Sequence, residues 1–197
     1  KGELVLESLE EIIDENTAMV AFNHISNSLG TINPVSTILA RAKAVGAWTL
    51  VDGAQSGPHA KANVQDWDVD FFTLASHKMY GPTGLGVLYG KRERLEALPP
   101  YQGGGEMIAT VTLEKSTYAE IPHKFEAGTP HIEGVIGFGA ALKFMNSIGI
   151  EAIAQHEAKL LEYAIERLSS IEGFRIIGTA DHKASVLSFL VDGTHPY

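Results

Sequence analysis

Two pieces of one stretch decide the fold: Trp48-Thr49-Leu50-Val51-Asp52-Gly53-Ala54-Gln55, and Phe71-Phe72-Thr73-Leu74-Ala75-Ser76-His77-Lys78 with its glycine-rich tail to Gly86. Each begins as a short, unbroken apolar run and ends abruptly in polar residues. Unbroken runs of this length are what strands buried on both faces of a parallel sheet require. An acid and an amide follow the first run; a histidine and a lysine follow the second. Ligands of open α/β sheets bind beyond the carboxyl ends of the strands, so both polar groups fall where a site belongs.

Working outward, Ala18–Phe22 is another continuous apolar run, predicted as a buried strand that delivers His24-Ile25-Ser26-Asn27 to its end. A turn at Gly30–Pro34 follows. Val35–Val45 reads as a helix with Ile38, Leu39 and Ala42 on one face and Gly46 as its stop. Strand, helix, strand is the βαβ unit, and it implies a parallel sheet. Upstream, Leu4–Ile13 is acidic with helical spacing and predicts a short surface helix. Downstream, Asp66–Asp70 is a polar connection, Val87–Tyr89 a strand beside Phe71–Ala75, and Lys91–Leu98 a charged helix stopped by Pro99-Pro100. Residues 103–125 are expected to be a long irregular segment, and such segments are more often functional than filler. Two helices follow, Glu133–Ser147 and Ile150–Ser170, the second with Ile150, Ile153, Ala154, Leu160, Leu161, Ala164, Ile165 and Leu168 as an apolar stripe. Phe174–Ile177 and Val186–Leu190 are strands of a second, smaller layer. The fold class is α/β, a mostly parallel sheet flanked by helices.

The chain has 197 residues, 24 acidic against 15 basic, for a net charge of −9. That balance argues against a broad nucleic-acid surface. No apolar run approaches the roughly 18–20 residues of a membrane span, and Lys1-Gly2-Glu3-Leu4 lacks the profile of a signal peptide. The expectation is a cytoplasmic protein of which this chain is an internal part. With no cysteine, the chain itself holds no disulfide, thiolate metal site or cysteine nucleophile. None of its eight histidines forms the His-Glu-x-x-His pattern of a metal hydrolase.

The chemistry of the strand ends is more specific. Lysine becomes a covalent catalyst by forming a Schiff base with a carbonyl. A carboxylate beside a pyridine nitrogen keeps that nitrogen protonated and the ring electron-withdrawing. Asp52 is placed for that role, Gln55 can donate to a phenolic oxygen, and Ser76, His77 and the nearby turn can supply phosphate donors. The set suits pyridoxal 5′-phosphate (PLP). Singly, an Asp-Gly is a turn, a Ser-His-Lys a solvated strand end, Gly81–Gly86 a hairpin, and His24 a structural histidine. Their conjunction on consecutive strand ends carries the reading.

With His24–Gly30, Val51–Gln55 and His77–Gly84 in hand, the chain resembles the group II (SufS/CsdA-like) cysteine desulfurases of the class V aminotransferase superfamily. Pro99–Ile108 and Phe125–Pro130 are the more specific parts of that resemblance. It implies the PLP-dependent transferase fold type I, with residues 1–143 in the large domain and 144–197 beginning a small one. It implies that Lys78 binds the cofactor aldehyde and moves the substrate's α-proton, with Asp52 at the ring nitrogen and Gln55 at the phenolic oxygen. His77 would contact the phosphate, and Asn27 would lie near the cofactor and the substrate carboxylate. Thr129 would reach the phosphate in the neighbouring subunit of a homodimer, with the Gly103–Ile108 loop at the entrance.

The implied reaction converts L-cysteine to L-alanine and hands sulfur, as a persulfide, to an acceptor protein for iron–sulfur cluster assembly. Two departures stand out. Ala75 occupies the place where the family carries a phosphate-binding serine, and Ser76 is expected to point to the other side of the strand. The nucleophilic cysteine and the carboxylate-binding arginine of the family correspond to positions beyond Tyr197. A selenocysteine lyase, another class V enzyme and a non-catalytic fragment stay open as alternatives.

Overall fold

A computed structural model describes residues 1–195; the last two residues of the expected small domain lie outside it. A 3-10 turn, Leu6–Ser8, leads into α1, Leu9–Ile12. Then come β1, Met19–Asn23, α2, Val35–Ala44, and β2, Trp48–Asp52. Two one-turn helices, α3, Ser56–His59, and α4, Val64–Trp67, precede β3, Phe71–Ala75. β4, Gly86–Gly90, and α5, Arg92–Ala97, are followed by β5, Ile108–Val111, and β6, Ser116–Tyr118. Helices α6, Ile132–Ile148, and α7, Ile150–Ser169, lead to β7, Phe174–Ile177, and β8, Ser188–Val191.

The main sheet has the order β1-β2-β3-β4. Its first three strands are parallel and β4 returns antiparallel to β3. The register sets Asn23 opposite Asp52 and Asp52 opposite Thr73, so β1 and β2 end at one level and β3 runs two residues further, to Ala75. β5–β6 and β7–β8 are separate antiparallel pairs.

α2 forms where Pro34 pre-sets the entry and Val35, Ile38, Leu39 and Ala42 recur at helical spacing; all four are buried. Val35 and Leu39 join Val51, Val69 and Phe72 in one core cluster. Full burial of side chains such as Leu39 and Val51 stabilises by about 2 kcal/mol each. A second cluster joins Met79, just beyond β3, to Phe138, Ala141 and Met145 of α6. Asn63 caps α4, its Oδ1 accepting from the amides of Gln65 and Asp66.

Several expectations need correction. β1 is not buried on both faces: Met19 and Ala21, which share one face, are exposed, and β1 is an edge strand among the described residues. The segment 103–125 is not irregular throughout, since it contains the β5–β6 hairpin. That hairpin turns without an Asn-Gly signal; the Thr112 hydroxyl accepts from the amides of Glu114 and Lys115 instead. Asp66 belongs to α4, not to a connection. Leu160 falls outside the buried stripe of α7 and is 53% exposed. No single described helix is long and apolar enough to cross a membrane.

Candidate active site

Asp52 is the last residue of β2, and its backbone carbonyl accepts from the amide of His24, tying the ends of β1 and β2 together. Its carboxylate is oriented from two sides. Oδ1 accepts from the Ala54 amide at 2.8 Å and from the Thr73 hydroxyl at 3.3 Å. Thr73 was not among the expected site residues; its signal is positional, since it stands opposite Asp52 in the parallel register.

Lys78 closes a 3-10 turn, Ser76–Lys78, that begins where β3 stops. The turn is held by Met79 and Gly81 amides donating to the Ser76 carbonyl and by the Ser76 amide donating to Leu85. Gly81 lies so close that a Cβ there would stand 2.2 Å from Ser76 Oγ and 2.9 Å from Phe138. Lys78 is half-buried, and its ammonium has no hydrogen bond or ion pair among the described residues. His77 is exposed beside it.

Ser76 does not face the same way. Its hydroxyl is buried beneath Gly81 and has no hydrogen-bond partner among the described residues. His24 is structural, as its bland reading has it: Nδ1 meets Ser56 Oγ at 2.8 Å and the ring packs edge-on to Trp67 at 5.0 Å. Burial pushes its pKa below the ordinary 6.5.

Asn27 is exposed at the tip of a loop closed by Gly30 N–H donating to the Ser26 carbonyl. That loop leans on the segment before β8: Ala184 N–H donates to the Gly30 carbonyl, and the Lys183 ammonium donates to the carbonyls of Leu29 and Gly178. Gln55 is half-buried at the N-cap of α3. Thr129 is exposed, next to a junction where Gly128 N–H donates to the Gly105 carbonyl at 2.9 Å. The two most specific sequence motifs, the triple-glycine loop and Phe125–Pro130, thus meet.

Asp52, Thr73, His77 and Lys78 share one end of the sheet. An amine with no ion pair among the described residues and a fixed carboxylate at the same sheet end can hold a carbonyl compound covalently and keep a ring nitrogen protonated. Two open clefts are lined by other residues. An open cleft of about 510 Å³ is lined by Arg92, Glu96, Tyr118 and Lys124, and another of about 410 Å³ by Pro130–Glu133 and Ile136.

A curated relative described as a probable cysteine desulfurase, from Streptomyces coelicolor, is 48% identical over all of this chain and 47% of its own length. A crystal structure of the cysteine desulfurase CsdA from Escherichia coli superposes with TM-score 0.92 at 38% identity, covering 97% of this chain and 47% of that one. A C-DES mutant, described as carrying glycine covalently linked to its PLP cofactor, matches with TM-score 0.83 at 26% identity, covering 98% and 51%. The chain spans about half the length of the curated relatives it matches. The aminotransferase class-V profile matches residues 1–197, and with strand ends, register and relatives in agreement, the chain belongs to the class-V aminotransferase family.

Proposed function

We propose that this chain is the central part of a PLP-dependent cysteine desulfurase. The observation that carries the reading is that a Lys78 ammonium with no partner among the described residues and a carboxylate, Asp52, held by Ala54 N–H and the Thr73 hydroxyl, lie at the same sheet end. This donor set fits a pyridine aldehyde: one amine for the aldehyde and one anion for the ring nitrogen. When bound, PLP supplies an electron sink for the pair released at the substrate's α-carbon. Lys78 holds the cofactor between turnovers and takes the α-proton on Nζ. Asp52 keeps the ring nitrogen protonated, Gln55 faces the phenolic oxygen, and His77 with the turn amides binds phosphate. Asn27 orients the substrate carboxylate, and Thr129 reaches the phosphate across a homodimer. With Ala75 carrying no donor and the Ser76 hydroxyl covered by Gly81, phosphate binding rests on His77, backbone amides and the partner's contribution.

The substrate is L-cysteine. Its C–S bond breaks and its sulfur joins an acceptor thiolate to give a persulfide, leaving L-alanine. With no thiol in residues 1–197, that acceptor belongs to the rest of the polypeptide, and the persulfide passes to a sulfur-acceptor protein for iron–sulfur assembly in the cytoplasm. Residues 1–143 belong to the large domain and 144–197 begin the small one.

The test is full-length protein mixed with PLP alone and reduced with borohydride, followed by peptide mapping. Label on Lys78, and none in Lys78→Ala, is expected; label elsewhere overturns the assignment. In a single turnover without added thiol, pyruvate, ammonia and free sulfide in place of alanine and persulfide overturn the desulfurase reading while leaving the cofactor intact.

A further inference from the structure

The apolar stripe of α7 is phased by Ile150, Ile153, Leu161, Ala164 and Leu168, yet Glu157 lies in the middle of it. Its carboxylate is only 21% exposed, and Oε2 meets Nδ1 of His59, itself 22% exposed, at 2.8 Å. A carboxylate on a core-facing stripe is unfavourable unless a partner satisfies it. A carboxylate can only accept, so His59 donates its Nδ1–H. That partner is the last residue of α3, the one-turn helix whose N-cap is Gln55.

One turn of helix does not hold itself in water. α3 depends on what grips it. From one side, Ser56 Oγ bonds buried His24. Beneath, Gly57 lies against the residue that follows Lys78: a Cβ on it would stand 2.5 Å from Met79 Sδ and 3.0 Å from Leu74. From outside, α7 closes the grip through Glu157.

We propose that Glu157 and His59 are positioning residues for the cofactor site, the pair clamping α3, and with it Gln55, against the Met79 turn that presents Lys78. The inference rests on the PLP reading above and names the contact by which α7 helps set that site.

The test uses full-length protein, with PLP alone as probe. In Glu157→Ala without cofactor, the amides of Gly57 and Ala60, bonded to the carbonyls of Gly53 and Ser56, exchange about tenfold faster, the loss expected for one hydrogen bond to a charged group. Amides of β2 keep their rates. Added PLP is retained about tenfold less tightly, and its visible absorption changes. Glu157→Gln, whose amide oxygen still accepts, recovers most of both effects. Should Glu157→Ala not fold, His59→Ala is read the same way, with His59→Asn as the rescue because its Nδ2 stands where Nδ1 stood. Unchanged exchange at Gly57 and Ala60, equal acceleration in β2, or no rescue overturns the clamp. A parent protein that does not take PLP on Lys78 overturns the cofactor reading instead, and exchange without PLP still decides the clamp.

Discussion

Arg94 Nε donates to Asp70 Oδ1 at 2.9 Å, with the aspartate side chain only 6% exposed. The other oxygen accepts from the Thr49 amide at 2.8 Å and from its hydroxyl at 3.0 Å, and that hydroxyl accepts in turn from the Asp70 amide. The arrangement locks the start of β3 to β2, and the Arg94 guanidinium lies 4.9 Å over the Trp48 ring. Burial alone pushes the carboxyl's pKa up. The Arg94 hydrogen bond, the two Thr49 donors and the Arg94 charge outweigh it and hold Asp70 below its ordinary 3.8.

A carboxyl with a lowered folded-state pKa contributes stability that is fully present above its unfolded value and is lost as pH falls through the lowered one. Arg94→Met therefore destabilises by about 2 kcal/mol at pH 7, the low end for breaking a buried pair because Arg94 is partly exposed. The loss narrows at pH 3, below the ordinary 3.8, because the buried acid that Arg94 no longer holds down takes up a proton in the variant and sheds its unpaired charge. Urea unfolding at the two pH values checks this; an equal loss at both refutes it.

Gly81→Ala is expected to cost about 2–3 kcal/mol, because its Cβ has no room over Ser76 and Phe138. Ser76→Ala alone is neutral or stabilises by about 0.5–1 kcal/mol, since it removes a buried hydroxyl with no partner. In the Gly81→Ala background, Ser76→Gly recovers part of the loss, leaving the Phe138 contact. A double-mutant cycle reads the coupling; strict additivity contradicts the packing described.

Much of this site was legible because parallel strands announce themselves as unbroken apolar runs. The runs before Asp52 and Ser76 located both polar termini, and Phe71–Ala75 matches β3 residue for residue. What stayed hidden depends on contacts distant in sequence. α3 contains Pro58 in a single turn and exists through Ser56, Gly57 and His59, whose partners lie in three other segments. The β5–β6 turn is held by a threonine hydroxyl and carries no Asn-Gly signal. Strand alternation continued to Ser76 predicts a side chain on the opposite face, but the backbone there has already entered a 3-10 turn and carries the hydroxyl under Gly81.

Thr73→Val removes the hydroxyl donor to Asp52 and leaves its Ala54 amide donor. PLP affinity of the full-length protein is expected to fall about threefold to tenfold, the worth of one hydrogen bond to a charged group, with little change in Tm. Titration with PLP followed by absorbance measures it. Unaltered affinity would mean that the hydroxyl does not orient the acid.

Lys183 is an ammonium without a carboxylate partner among the described residues, and burial lowers its pKa. Lys183→Met leaves the carbonyls of Leu29 and Gly178 without that donor, so stability falls by about 1–2 kcal/mol. Amide exchange of Gly30 and Ile32, bonded to the carbonyls of Ser26 and His182, rises more than that of α2. An effect spread evenly over the molecule would contradict a local staple on the Asn27 loop.

The common level of Asn23, Asp52 and Thr73 also sets where this polypeptide can change length. A strand's side chains alternate between faces, so losing one residue inside β2 turns its acid to the opposite side of the sheet while still offering the same ladder of amides and carbonyls. Such a deletion abolishes the acid's role without dismantling the strand. Insertions between β6 and α6 leave that row untouched. Chain-length variation in descendants of this scaffold should therefore collect in its connections and spare the three strands.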